Sequence, residues 1–459
     1  MDFYSNLRNK LQAMKDGGTY KEYQYLTTPM SNKSDIEKYD EVIVLCSNNY
    51  IGLCNNKEVI QAGHEALDKY GAGAASVRFI CGTYDIHRQL EKETAEFMHT
   101  ESCLTYMSCW NANTGVIPAI VFEGDCIISD ALNHASIIDG CRLTSRKVER
   151  FVYKHSDMED LERLLKEGER FNTRLVITDG VFSMEGDIAK LDEIYKLCKK
   201  YKAILLVDDS HGMGVVGATG RGAIEYHNLL GKVDIITGTY GKALGGSAGG
   251  FVAAKKEVID MCIQASRTSL FTNSLPPVVA AMSLKAIQLL KRDNSIIESL
   301  HKKVKYLRQR LHEEGFEPLE GESAIVPIIV GDTAKAIRIA KAMLEKKVYV
   351  TGFGFPVVPE GTARIRIQVS DALSYEDIDY SVKAFKEVGC SGLSRVDFFV
   401  EESGRIVLNE INTMPGFTSI SMYSKLWEAS GIPYSDLITR LIELAFESYN
   451  QTARSYERK

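Results

Sequence analysis

The sequence predicts an α/β protein built on a mostly parallel central sheet, and three observations lead there. From about residue 46 to 290, short apolar runs bounded by Gly and Asp alternate with stretches of helical period. Strands alternating with helices form crossover units, and these cover both faces of a parallel sheet. Several of the apolar runs end in polar residues, Asp179, Asp208 and Thr239, as expected where the carboxyl ends of strands face a ligand. Finally, 459 residues at 45% hydrophobic and 25% charged suffice for two or three domains around a large core.

Taken in order, residues 1–45 read as a charged helical arm leading into the short strand "EVIVLC". The region 46–290 forms the large domain, with strands "CIISDA", "RLVITDG", "AILLVDDSHG" and "VDIITGT". Between them, "MEDLERLLKE" and "LDEIYKLCKKY" carry apolar residues at helical spacing. Residues 291–388 mix helices with the strands "SAIVPIIVG" and "ARIRIQVS", which predicts a smaller α+β domain. Residues 389–459 change in character and form a separate tail, whose last residues are polar and expected to fray.

The bulk properties narrow the function. A formal net charge of −6 with interspersed signs leaves no basic stripe, so small molecules rather than nucleic acid are the expected partners. The ten cysteines include no C-x-x-C pair and no zinc spacing, and read as reduced, structural thiols. The start, "MDFYSNLRNK", lacks an apolar signal core, and no run reaches the roughly 18 apolar residues of a membrane span. A cytoplasmic protein without membrane contact is expected.

Two glycine-rich stretches invite nucleotide readings that their surroundings oppose. "GMGVVG", 212–217, follows a strand, yet the next residues "ATGRG" cannot open the helix that a dinucleotide site needs. "GTYGKALGG", 238–246, has Ala243 where a P-loop requires Ser or Thr. Lys242 therefore needs another use. Asp208 ends a very apolar strand, where a carboxylate is costly without a cationic partner, and His211 follows three residues later. An amine, a strand-end carboxylate and an imidazole match the needs of pyridoxal phosphate (PLP): an imine partner, an anion for the ring nitrogen and a hydrogen bond to the ring oxygen.

"SNNYIGL", "GAASVRFICGT", "SDALNHASIIDG", "TDGVFSMEGDIA", "VDDSHGMG", "TGTYGKALGG", "SLFTNSLPP" and "YVTGFGFPVVPEGTARIRIQVS" occur in this order up to about residue 388. Together they resemble the α-oxoamine synthases, fold-type I PLP-dependent transferases that join an amino acid to an acyl-CoA. Within the family, "ASVRFICGT", "DDSH" and "YVTGFGFPVVP" are most similar to members that condense glycine with acetyl-CoA to 2-amino-3-oxobutyrate and CoA. Members that make 8-amino-7-oxononanoate more usually carry "DEAH", and remain the alternative.

The resemblance implies roles for individual residues. Lys242 is implied as the Schiff-base lysine, Asp208 as partner of the ring nitrogen, His211 as partner of the ring oxygen and His134 as the residue stacked on the ring. Backbone N–H groups at Ser108, Cys109 and Trp110 would hold the phosphate at a helix start. Trp110 stands where the family usually has Phe. Ser183, Thr239 and, across a homodimer interface with shared sites, Thr272 are further candidates for the ring oxygen or phosphate. Arg366 would clamp the substrate carboxylate beside Asn48, and Arg364 shares its face of the strand.

After residue 388, "GLSRVDFFVEESGRIVLNEINTMPGFTSISMYSKLWEASGIPYSDLITRLIELA" closely resembles the carboxyl-terminal part of D-alanine–D-alanine ligase, an ATP-grasp enzyme. It reads as a hairpin turning at Ser403 and Gly404, which sets Asp397 opposite Glu410 with Asn412 on the same face as Glu410, a set of hard oxygen ligands suited to magnesium. In the resembled ligase, Arg395, Gly416 and Ser421 match residues around the substrate. The lysines and adenine cleft of a full ATP site have no counterpart before residue 389, so no functional metal site is expected and the tail reads as an appended fragment, by natural fusion or by artificial joining.

Overall fold

A computed structural model of the chain describes residues 2–389, 395–400, 406–412, 433, 435–440 and 442–443. Helix Phe3–Asp16 leads to an antiparallel hairpin of β1 (Lys33–Ile36) and β2 (Asp40–Val44). The central sheet follows with β3 (Ser102–Tyr106), β4 (Cys126–Asp130), β5 (Glu149–Tyr153), β6 (Arg174–Asp179), β7 (Ile204–Asp208), β8 (Ile235–Thr239) and β9 (Gly250–Ala254). Their order across the sheet is β3-β9-β8-β7-β6-β4-β5. Pairs among β4 to β8 are parallel, whereas β9 runs antiparallel to both β3 and β8. The sheet is mostly parallel, as the alternating pattern predicts.

Side-chain alternation along each strand explains why both faces are covered. Leu175, Ile177 and Leu206 enter the core under helices Cys109–Ile120, Ala135–Arg142 and Lys256–Ala265. Val176, Leu205 and Val207 point the other way, into a larger core shared with helices Asp85–Met98, Leu191–Lys200 and Pro277–Arg292. Strands buried on both faces read as continuous apolar runs, which is what "AILLV" is. The stretches "MEDLERLLKE" and "LDEIYKLCKK" are helices Met158–Glu167 and Leu191–Lys200.

The C-terminal part adds β10 (Ile325–Gly331), β11 (Val348–Tyr349), β12 (Thr351–Phe353) and β13 (Ala363–Gln368). A three-stranded antiparallel sheet has the order β10-β13-β12 and packs with helices Ser295–Glu313, Thr333–Glu345 and Tyr375–Gly389. β11 instead pairs in parallel with β2, so the end of the N-terminal arm is stitched to the C-terminal layer. In the tail, β14 (Arg395–Val400) and β15 (Ile406–Asn412) are antiparallel, with Asp397 opposite Glu410 and Arg395 opposite Asn412. Ser403, Gly404, Gly416 and Ser421 lie outside the described residues. Among the described residues no helix is long and apolar enough to cross a membrane.

Candidate active site

Parallel strands deliver their carboxyl ends to one edge of the sheet, and there the chain forms a cavity of about 200 Å³. After β3, Ser108 caps helix Cys109–Ile120; after β4, His134 caps helix Ala135–Arg142. Asp179 ends β6, Asp208 ends β7 with His211 just beyond, and Thr239 ends β8 shortly before Lys242. All of these residues line the cavity, as do Cys109, Trp110 and Ser183. "GMGVVG" does not open a helix: Gly214 and Gly217 turn the chain at φ +72° and +86°, and the next helix begins at Ala223.

Asp208 is buried but well supplied with donors. Asn113 Nδ2 lies 2.6 Å from its Oδ2, the Ser210 amide donates to Oδ1 at 3.0 Å, and the Cys109 thiol points at Oδ2 from 3.5 Å. Burial pushes that thiol well above its usual range. Lys242 is drawn the other way: burial lowers its amine below the ordinary lysine value, although Asp208 opposes the shift. An amine that sheds its proton readily is what imine chemistry needs. Asp179 pairs across the sheet with Asp208, and burial, then the Asp208 charge, raises its carboxyl well above the usual range.

Both histidines are held neutral. Burial first, then the charges of Lys242 and Arg366, take His211 well below its ordinary value; its Nδ1 lies 2.9 Å from the Tyr50 hydroxyl. For His134 burial again leads, with Lys242 adding to it. Its Nδ1 meets Ser136 Oγ at 2.7 Å and the Ser136 amide at 3.2 Å, and Trp110 stands edge-on to its ring at 5.9 Å.

The start of helix Cys109–Ile120 offers backbone N–H groups with no partner inside the helix, the usual seat of a phosphate. Gly250 lies against Ser108 and Cys109, and a Cβ there would overlap them. Thr239 Oγ1 donates to Gly249 O at 2.9 Å, anchoring the lysine loop.

Of the residues expected at the substrate carboxylate, Arg366 and Arg364 lie on β13 of the neighbouring antiparallel sheet and Asn48 in the loop after β2; neither Arg366 nor Asn48 lines the cavity. Arg366 donates from Nη1 to Ser183 O at 2.9 Å and from Nη2 to Gln368 Oε1 at 3.2 Å, while its Nε is buried without a partner. Asn48 is joined to it through Gln368, whose Nε2 lies 2.6 Å from Asn48 Oδ1. Arg364, in contrast, is a buried structural ion pair with Glu185 at 3.0 Å. Thr272 does not line the cavity. Pattern reading missed Asn113, Ser136, Tyr50 and Gln368, because buried amides and hydroxyls inside regular elements carry no local signal; parity with Arg366 on β13 was the only hint for Gln368.

The residues fit PLP: a helix start for the phosphate, a buried carboxylate facing a readily neutralised lysine, and a buried Ser210 Oγ in the cavity wall that has no oxygen or nitrogen partner among the described residues. Fold and site together define a fold-type I PLP-dependent enzyme. The family described as "Aminotransferase class I and II" matches residues 40–385, and the chain belongs to it, in the α-oxoamine synthase branch.

The chain is 45% identical over 384 residues to 8-amino-7-oxononanoate synthase of Thermoanaerobacter pseudethanolicus, covering 83% of this chain and 96% of that protein. It is 43% identical over 390 residues to 2-amino-3-ketobutyrate coenzyme A ligase of Escherichia coli, covering 84% and 98% respectively. Among solved structures, serine palmitoyltransferase from S. paucimobilis with bound PLP superposes with a TM-score of 0.80 at 31% identity, covering 85% of this chain and 98% of that one. The chain is thus a PLP-dependent acyltransferase of the α-oxoamine synthase type.

Proposed function

We propose that the protein is a glycine C-acetyltransferase, converting glycine and acetyl-CoA to 2-amino-3-oxobutyrate and CoA, and running in reverse in threonine breakdown. The observation that carries this reading is the likeness of "ASVRFICGT", "DDSH" and "YVTGFGFPVVP" to members that use glycine and acetyl-CoA, and the cavity at the sheet edge is small, about 200 Å³, with Trp110 against His134 at its wall. A small amino acid suits that space. The name of the Escherichia coli relative agrees, and that of the Thermoanaerobacter pseudethanolicus relative matches the second reading instead.

In this reading Arg366 binds the glycine carboxylate through its planar fork and its unpartnered Nε, with Asn48 alongside. Lys242 carries the cofactor and then takes the α-proton, a task eased by burial of its amine. When bound, PLP supplies the electron sink for the α-carbon. Asp208 keeps the ring nitrogen protonated, His211 holds the ring oxygen, and His134 packs on the ring. The N–H groups of Ser108, Cys109 and Trp110 hold the phosphate, with Ser183 and Thr239 beside it.

A second copy of the chain completes the site in the same reading. Thr272 does not reach the cavity of its own chain, and Phe79, Ile80 and Phe271 are exposed on segments that meet near it. The proposed division into a large domain (46–290), a small domain (291–388) and a passenger tail (389–459) assigns the chemistry to the first two, in the cytoplasm.

One observation favours the second reading, 8-amino-7-oxononanoate synthase. An apolar groove of about 480 Å³ lined by Tyr20, Tyr23, Tyr349 and Phe355 reaches Phe353, over which Arg366 stacks at 4.6 Å. Such a groove suits a longer acyl chain. Release of CoA thiol from acetyl-CoA, measured with and without glycine after PLP is supplied, decides between them. Glycine-dependent release, abolished in Lys242→Ala, upholds the acetyltransferase; release only with a longer acyl-CoA and another amino acid replaces it with the second reading.

A further inference from the structure

A run of hydrogen bonds connects the arginine on β13 to the imidazole beside Lys242. Arg366 Nη2 donates to Gln368 Oε1 at 3.2 Å; Gln368 Nε2 donates to Asn48 Oδ1 at 2.6 Å and to the Tyr50 hydroxyl at 2.7 Å; that hydroxyl lies 2.9 Å from His211 Nδ1. Gln368 and Tyr50 are both buried, at 1% and 0% exposure.

Each link has a fixed direction. A guanidinium only donates, so the oxygen of Gln368 faces Arg366 and its NH2 faces Asn48 and Tyr50. Burial pushes the Tyr50 hydroxyl up to about 12, so it keeps its proton. Having accepted from Gln368, the hydroxyl has one hydrogen to place, and among the described residues His211 Nδ1 is the one remaining acceptor at hydrogen-bond distance. A buried hydroxyl left without an acceptor would cost free energy. Since His211 is neutral, a lone pair at Nδ1 leaves its single proton on Nε2.

We infer that Gln368 and Tyr50 are positioning residues that fix His211 as the tautomer protonated on Nε2 and tie that choice to the guanidinium of Arg366. The consequence rests on the proposed role of His211: a proton on Nε2 lets it donate to the ring oxygen of the cofactor, whereas the other tautomer would turn a lone pair toward an oxygen. The same strand thus carries the carboxylate clamp and the device that orients the imidazole.

The test uses the full chain loaded with PLP and labelled with 15N-histidine, with two-bond nitrogen–proton spectra recorded at pH 7. Resonances of His211 are identified by their loss in His211→Asn. The expected ring is protonated on Nε2 with a hydrogen-bonded Nδ1. In Tyr50→Phe the Nδ1 resonance moves toward that of a nitrogen without a donor, and Gln368→Leu moves it less. A wild-type ring protonated on Nδ1, or a Tyr50→Phe spectrum identical to wild type, overturns the inference; the first result depends on neither Tyr50→Phe nor Gln368→Leu folding. Turnover separates the two layers of the argument. A loss of about tenfold in kcat for Tyr50→Phe, with KM for glycine unchanged, upholds the relay and the role of His211 together. An Nε2 proton and an altered Tyr50→Phe spectrum with unchanged turnover uphold the relay and overturn that role.

Discussion

At the scale of single residues, the site is a set of charges whose neighbours decide their state. Asp208 can serve a ring nitrogen only if its carboxylate is held in place, and Asn113, fully buried on helix Cys109–Ile120, supplies its shortest hydrogen bond. Asn113 Nδ2 also lies 3.0 Å from Ser136 Oγ, which in turn meets His134 Nδ1. One amide thus organises both the carboxylate and the imidazole expected on opposite parts of the cofactor. Asn113→Ala removes a donor from a buried carboxylate, which costs about 1–3 kcal/mol. We expect PLP to bind about tenfold more weakly, as measured by absorbance titration of the cofactor-free variant, with Asp208 otherwise intact.

At the scale of elements, loops after the strands are held by a few buried groups. His155 lies between Asp130, at the end of β4, and Asp187, in the loop after β6, at 3.0 and 3.1 Å. Burial works against its charge, but the hydrogen bonds to both carboxylates outweigh it and push His155 up to about 10. The loop from Ser183 to Glu185 next touches Arg366 and Arg364, so His155 braces the segment that faces the substrate arginine. The folded value lies above the ordinary 6.5 of histidine. Its stabilisation is therefore complete below about pH 6.5 and is lost as pH rises toward 10. Denaturant unfolding should show the wild type losing stability between pH 7 and pH 9.5. His155→Leu should lower stability by about 2 kcal/mol at pH 7 and flatten that slope.

A second brace is the glycine collar around Asp209. Gly180, Gly212 and Gly222 each leave room for its carboxyl group, and Gly222 also has φ +86°. Burial raises that carboxyl to about 7. Gly222→Ala would place a Cβ into the carboxylate from a left-handed backbone, and should lower stability by about 3 kcal/mol in thermal or denaturant unfolding.

At the scale of the whole molecule, the cavity gathers residues from the large sheet, Arg366 on the small sheet meets it through its hydrogen bond to Ser183 O, and Thr272 remains outside. If a second copy supplies Thr272, two inactive variants should complement each other. Lys242→Ala and Thr272→Ala, co-expressed with different tags and purified as a mixed species, should regain part of wild-type turnover because one of the two sites is then intact. No recovery in a verified mixed dimer would place Thr272 in the site of its own chain, and a Thr272→Ala variant that is active by itself would place Thr272 outside the working site.

Much of this was written locally. Lys242, Asp208 and His211 follow apolar strands whose polar ends mark the ligand edge, and a hydrophobic run with a polar terminus is a feature of a few consecutive residues; His134 was implied by the family resemblance. Ser108 to Trp110 were implied as a phosphate-holding helix start by the same resemblance, and a helix does begin at Cys109. The pairing of β2 with β11 was not, since it joins residues some 300 positions apart and neither partner carries a pattern that selects the other. Nor did strand position tell Arg364 from Arg366, a choice that only the resemblance made. Both lie on one face of β13, and only packing gives Glu185 to the first and Ser183, Gln368 and the route to His211 to the second. The sequence alone determined the strand–helix alternation and the lysine, carboxylate and imidazole at the sheet edge, because these depend on short-range periodicity and residue chemistry, and its ordered motifs carried the resemblance that implied the family. The tertiary structure alone decided which buried amides and hydroxyls set the state of those groups, because a hydrogen-bond partner is chosen by position in space and not by spacing along the chain.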